Sequence, residues 1–288
     1  MHASTVRSLL VRGMLAGLIA GLFAFAVAYA VGEPPVNGAI AVEEAKAAGE
    51  EAKAAGEEAK AAGEAPAGHG SHAGHGGDTV AVEAAGEEEE GISRSAQSTF
   101  GLATGVLVYG VALGGIASLA FSFALGRVGR FSPRATAALT AAAAFTTVYL
   151  VPFLKYPATP PAVGNPDTIG KRTTLFFLMI LLSVLLGIAA LIAGRRLAPR
   201  LGNWNATLAA GAGFVVVTAV AFAVLPDNED AVATGFPAGL LWEFRLASLA
   251  VQAVLWAVFG IVFGLLAQKT LAPRADADQE VRLGAAAG

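Results

Sequence analysis

Apolar residues in this chain run in long unbroken blocks, with neither the alternation of strands nor the one-sided stripe of surface helices. Six blocks, approximately Gly13–Val31, Phe100–Leu125, Ala135–Leu154, Thr173–Gly194, Ala206–Leu225 and Leu246–Gln268, approach or exceed the roughly 20 residues that a helix needs to cross hydrocarbon. None carries a charge at its centre, where Asp, Lys or Arg would cost about 2.5–3.5 kcal/mol. Nothing repeats with period two, which argues against a membrane β-barrel. The pattern predicts an all-α, polytopic transmembrane helix bundle of about six spans. The chain then divides into a cytoplasmic N-terminus and first transmembrane helix (1–31), an external polar loop (32–98), a five-helix transmembrane bundle (99–268) and a cytoplasmic tail (269–288).

Basic residues orient the spans. Arg7 and Arg12 precede the first, Arg127, Arg130 and Arg134 follow the second, and Arg195, Arg196 and Arg200 follow the fourth. Lys269, Arg274 and Arg282 follow the last, so 11 of the 19 Lys and Arg share one side. The short loops opposite hold only Lys155, Lys171, Arg172 and Arg245. That bias predicts a multi-pass protein of the plasma or inner membrane with both termini in the cytoplasm. Arg7, Arg12, the apolar run and Ala28-Tyr29-Ala30 also fit a cleavable leader, whose removal would leave five spans. The length of the run and the four-residue spacing of Gly13, Gly17 and Gly21 favour a retained helix that approaches its neighbours closely. The same spacing recurs at Gly101 and Gly105, Gly110 and Gly114, and Gly260 and Gly264, as tight bundle packing requires.

The loop 32–98 differs in kind. It holds 14 of the 22 acidic residues, those between Glu33 and Glu90, so the net charge of −3 averages two unlike regions. Residues 43–63 are three copies of Glu-Glu-Ala-Lys-Ala-Ala-Gly. Glu43 and Lys46, three apart, suit an intrahelical ion pair. The face that recurs every seven residues carries only Ala and Gly, which predicts a solvated helical spacer and no core. After it, His69, His72 and His75 lie within a glycine-rich tract that ends at Asp78. Imidazoles on flexible chain can converge on Co, Ni, Zn or Cu, with Asp78 as the nearest further ligand. A plain linker and a pH-sensing segment are the competing readings.

Composition closes other routes. The chain is 55% hydrophobic and 14% charged with a mean hydropathy of +0.62, against roughly 25% charged in soluble domains. With no cysteine there is neither a disulfide nor a thiolate metal site. No basic tract suits nucleic acid, so the lipid bilayer is the surrounding partner. The Gly164–Thr173 string resembles a phosphate-binding loop but has five residues between its glycines and Arg172 after Lys171. Asp167 suits a helix N-cap there. No hydrolase elbow, HExxH motif or paired intramembrane carboxylate occurs; the expectation is a non-enzyme with no permanently bound cofactor.

Polar residues collect at the outer face. Pro152 should kink the end of the third span, with Lys155 and Tyr156 beyond it, and Trp242, Glu243 and Arg245 open the sixth. An interfacial belt explains Tyr156, Trp242 and Lys155. Glu243 adjoins an apolar span without a run of acidic neighbours and is a candidate cation contact. Gln252 and Trp256, deeper in, either line a path or hydrogen-bond between helices.

Several strings resemble one family. Arg12-Gly13-Met14, Gly32-Glu33-Pro34 and the run Val148-Tyr149-Leu150-Val151-Pro152-Phe153-Leu154-Lys155-Tyr156-Pro157 look like the CbtA-type family of probable cobalt transporter subunits. So do Pro161-Ala162-Val163-Gly164, Asp167-Thr168-Ile169-Gly170, Gly235-Phe236-Pro237 and Leu241-Trp242-Glu243-Phe244-Arg245-Leu246, the heptads standing apart as an insertion. The resemblance implies uptake of cobalt linked to cobalamin supply, with Co2+ as the transported divalent metal ion, beside a small single-span, His-bearing partner subunit. It carries no catalytic residues. The expectation is a membrane subunit of a divalent-metal uptake system with His69, His72, His75 and Asp78 as an outer capture arm. A non-transporting scaffold or accessory subunit, or a transporter of another small solute, are the rival readings.

Overall fold

The computed structural model describes residues 3–63, 97–129, 131–160, 163, 168–228, 232 and 235–271. Among the described residues there are helices and no strands. The helices are α1 (Ala3–Val27), α2 (Glu33–Gly63), α3 (Leu102–Ala124), α4 (Pro133–Ala144), α5 (Val151–Lys155), α6 (Ile169–Val224) and α7 (Ala238–Leu271), with π-helical segments at Ala28–Gly32, Gln97–Gly101 and Phe145–Leu150.

Two of the π segments have a visible cause in the sequence. Ala28–Gly32 ends one residue before Pro34 and Pro35, and Phe145–Leu150 one residue before Pro152. A proline ring clashes with the carbonyl four residues back and supplies no N–H. Widening the turn moves that carbonyl aside, and the next amides bond five residues back: Glu33 N–H to Ala28 O, and Val151 N–H to Thr146 O. The helix therefore continues through the prolines. In consequence α1, its π turn and α2 form one rod from Ala3 to Gly63, roughly 90 Å at 1.5 Å per residue. The division at residue 31 is a change of surroundings, not a break in the backbone.

The heptads are helical as expected, but as the far end of the first helix. Gly49 and Gly56 have nothing around them, and the ion pair formed is Lys46 with Glu50 at 3.9 Å in place of the spacing Glu43–Lys46. Among the described side chains of this arm the root is the part that packs, with Ala39 buried and Gly38 against Leu240.

Among the described residues five continuous helices are long and apolar enough to cross a membrane. One of them, α6, is two spans. At Gly202 the backbone adopts φ 75°, ψ 160°, a left-handed conformation that glycine takes without a Cβ clash, three residues after Pro199. Gly194 then faces Ala206 and Ala210 across the reversal, while Phe214, Phe222 and Leu225 join Leu175, Phe176 and Met179 at the other end. The arms 169–201 and 203–224 are thus an antiparallel hairpin, and the expected six spans are present.

The centre of the bundle is made by the first, second, third and sixth spans. Gly13 and Gly17 meet Gly110, Gly114 and Ser118 so closely that a Cβ added at Gly17 would lie 2.1 Å from the Gly110 carbonyl. Gly260 and Gly264 receive Ala138, Ala141, Ala137 and the Arg134 backbone in the same manner. Small residues permit this approach, which apolar solvent does not otherwise drive. Gly101 and Gly105, grouped with these by spacing, face open space. Between the two seams Phe121 meets Phe263 edge-on at 5.0 Å and Phe259 stacks on Phe263 at 5.3 Å. The α6 hairpin attaches at the periphery through the outer end of the third span, and Phe177, Leu181, Leu185, Val215, Val216 and Val220 are left for lipid.

Candidate functional site

The outer end of the bundle carries its polar connections. The third span ends at Lys155, whose ammonium is nearly buried, donates to Phe222 O at 2.8 Å and pairs with the exposed carboxylate of Asp227. Phe222 O is among the last carbonyls of the fifth span, which have no partner within their own helix. A cation at a helix C-terminus also meets the negative end of the helix dipole. Tyr156 Oη donates to Pro226 O at 2.8 Å, and Arg245 Nε at the head of the sixth span donates to Ala158 O at 3.3 Å. Burial pushes the Tyr156 phenol above its ordinary pKa, with the Lys155 charge pulling the other way. These bonds clamp the outer ends of the third, fifth and sixth spans together.

Beside the clamp opens a cavity of about 390 Å³, lined by Tyr149, Phe153 and Tyr156 of the third span, Thr159, Arg172 and Phe176 near the fourth, and Asn228. Among the described residues its polar groups are hydroxyls, an amide and a guanidinium, with no carboxylate. Tyr149 is its deepest residue on the third span. It sits in the π segment, held by stacking on Phe145 and Phe153 and by Ser183, which donates to Thr147 O from the fourth span.

Inward from Tyr149 lies a second polar group. Tyr109 of the second span, 42% exposed, meets the sixth span at this depth. Gln252 of the sixth span offers Nε2 to Tyr109 Oη at 3.5 Å, the outer limit of a hydrogen bond. Tyr149 Oη, Gln252 Oε1 and Trp256 Nε1 are buried without a protein partner. Hydrogen bonding between helices, one of the two roles expected of Gln252 and Trp256, is thus met through Gln252 Nε2 alone. Sequence reasoning missed Tyr109 and Tyr149 as partners. Their signal was position, since both lie inside apolar blocks instead of at the interface where Tyr ordinarily gathers.

The other expected site residues are not in this cluster. His69, His72, His75 and Asp78 lie outside the described residues, as does Asp167. Glu243 is exposed on the second turn of α7 and does not line the cavity. Among the described residues no three His, Asp or Glu gather where they could hold a metal ion.

Helices of this length and apolarity, antiparallel and closed around glycine seams, define a multi-pass α-helical membrane protein. The profile of the family described as "Probable cobalt transporter subunit (CbtA)" matches residues 6–268, and the chain belongs to that family. No curated protein and no solved structure matches it.

Proposed function

We propose that the chain is the membrane-embedded subunit of a divalent-cation uptake system in the plasma or inner membrane, with cobalt as cargo and both termini cytoplasmic. Membership of the cobalt transporter subunit family over nearly the whole length is the observation that carries this reading. In it, His69, His72 and His75, with Asp78, capture the ion outside, Glu243 offers a weak further contact at the surface, and the cavity beside Lys155 and Tyr156 receives it. A small single-span, His-bearing subunit completes the system and serves cobalamin supply.

Three imidazoles on glycine-rich chain must be ordered as they bind, at roughly 1–2 kcal/mol for each residue fixed, so capture is of modest affinity and suits release. By the usual order of divalent metals such a loop holds Ni and Cu at least as well as Co, so selectivity has to arise in the bundle or the partner. Neutral imidazole is the ligand, so capture weakens as pH falls below about 6.5.

The test is cobalt accumulation in cells with and without the gene, with Ni and Zn as competitors. Cobalt uptake that depends on the gene is expected. Replacing all three His with Ala should weaken uptake at limiting cobalt and change little at high cobalt; unchanged uptake at limiting cobalt would reduce these residues to a linker. One observation favours the rival reading of a non-transporting accessory subunit: the described part of the bundle offers no acidic or His ligand set along its length. Cells that accumulate cobalt equally without the gene would decide for it.

A further inference from the structure

Three buried polar atoms without partners in one region of a membrane bundle call for an occupant, because hydrocarbon supplies no hydrogen bonds and an unmet polar group there is costly. Tyr149 Oη, Gln252 Oε1 and Trp256 Nε1 are such atoms, and Tyr109 Oη, on a residue 42% exposed, stands 3.5 Å from Gln252 Nε2. The three come from the third and sixth spans, which touch at the π segment, and Tyr109 adds the second, so the group is not a cap or turn of any single helix. Gln252 lies two turns below Arg245, and Tyr149 a little under two turns below Lys155, which sets the group about 10 Å inward from the outer clamp. Tyr149 also lines the outer cavity, so the group is continuous with a way in from outside. The backbone widens into a π turn at Tyr149, a local form often found at functional sites.

The donor set narrows the occupant. Two phenols and an amide oxygen are neutral, hard oxygen ligands, and no carboxylate stands among them. Trp256 Nε1 carries a proton and cannot face a bare cation, but it can donate to water. We propose that Tyr109, Tyr149 and Gln252 form a station in the outer half of the bundle that holds a divalent cation through its water shell on the way inward from the cavity. Trp256 bonds the surrounding water and reports on the site. Holding the ion without a neutralising charge keeps it exchangeable, as passage requires. The inference takes the identity of the cation from the transport reading above.

Trp256 supplies the measurement. The chain has three tryptophans, and Trp204→Phe with Trp242→Phe leaves Trp256 alone. The full chain with those two substitutions, purified in detergent, is titrated with cobalt chloride while Trp256 emission is followed, since Co2+ quenches a nearby indole. Saturable quenching is expected. Tyr149→Phe combined with Gln252→Leu should raise the half-quenching concentration at least about tenfold. Gln252→Glu, which puts a carboxylate among the same oxygens, should lower it. Should the double variant fail to fold, the Gln252→Glu arm decides alone. Quenching that does not saturate, or a midpoint that Gln252→Glu leaves unmoved, would overturn the station. Gene-dependent cobalt uptake without saturable quenching removes the station and leaves the transport reading standing. Saturable quenching in a chain that supports no uptake does the reverse.

Discussion

At the scale of the residue, Lys155 and Asp227 form one ion pair whose halves differ in consequence. The Lys155 side chain is 8% exposed and Asp227 81%. An exposed carboxylate is screened by water and adds little, so Asp227→Asn should change stability by less than about 0.5 kcal/mol. Lys155→Met removes the donor from a helix-terminal carbonyl and should cost about 1–3 kcal/mol, read as a lower melting temperature in detergent. Equal effects would mean that the ion pair, not the bond to Phe222 O, holds the clamp. Tyr156 adds a pH dependence. Its folded pKa lies above the unfolded value of about 10, so the folded state keeps the proton longer. The stability it contributes is full below about pH 10 and is lost as pH rises toward the folded pKa. Tyr156→Phe should flatten that alkaline fall while costing about 1 kcal/mol at neutral pH. An alkaline fall of unchanged steepness in that variant would assign it to another group. Lys155 and Tyr156 were legible in the sequence only as interfacial anchors. Their partners, Phe222, Pro226 and Asp227, are about 70 residues away, and no local pattern announces which helix end a lysine will reach.

At the scale of the element, local pattern did better. Span positions, the packing role of Gly13 and Gly17, and helicity of the heptads follow from apolar length, small-residue spacing and charge spacing, all of which act within one helix. What the sequence could not display was pairing. Gly101 and Gly105 have the same spacing as Gly110 and Gly114, yet only the latter face α1, because register between helices is set in three dimensions. The continuity of α1 into α2 was hidden by Pro34 and Pro35, which ordinarily end a helix and are absorbed here by a π turn. Two predictions belong to these elements. Gly17→Leu would drive a side chain into the Gly110 carbonyl, with backbone on both sides and no flexible neighbour to yield. It should cost more than the roughly 1–3 kcal/mol typical of overpacking, read as loss of folded protein in detergent, whereas Gly105→Leu, in open space, should be tolerated. Similar losses in both would refute the seam. Deleting residues 50–63 removes two heptads, close to four helical turns, from a stretch whose described side chains are exposed. Insertion and folding should survive unchanged, and a loss of folded protein would reveal a packing partner for the arm.

At the scale of the molecule, the seam between α1 and the rest bears on where everything sits. A segment removed as a leader would take Leu9, Ala16, Ala20 and Ala24 out of the central cluster and leave Gly110 and Gly114 facing a void. The structure therefore gives the first helix a structural task that favours its retention. With α1 retained, the spans alternate in direction, antiparallel from one to the next through the hairpin at Gly202. Arg127, Arg134 and the arginines at 195–200 then share an end with Arg7 and Arg12, and the clamp, the cavity and the α2 arm share the other. Basic residues in short loops mark the cytoplasmic end, so the arm should stand outside. Its end at Gly63 lies roughly 45 Å from Glu33, well beyond the lipid headgroups. A chain with no native cysteine makes this directly measurable. Lys53→Cys, on the exposed arm, should react with an impermeant maleimide in intact cells. Arg196→Cys should react only after the membrane is opened. The reverse pattern would invert the molecule and put the arm in the cytoplasm. Labelling of both positions in intact cells would mean that the spans do not alternate, and the antiparallel bundle itself would have to be abandoned.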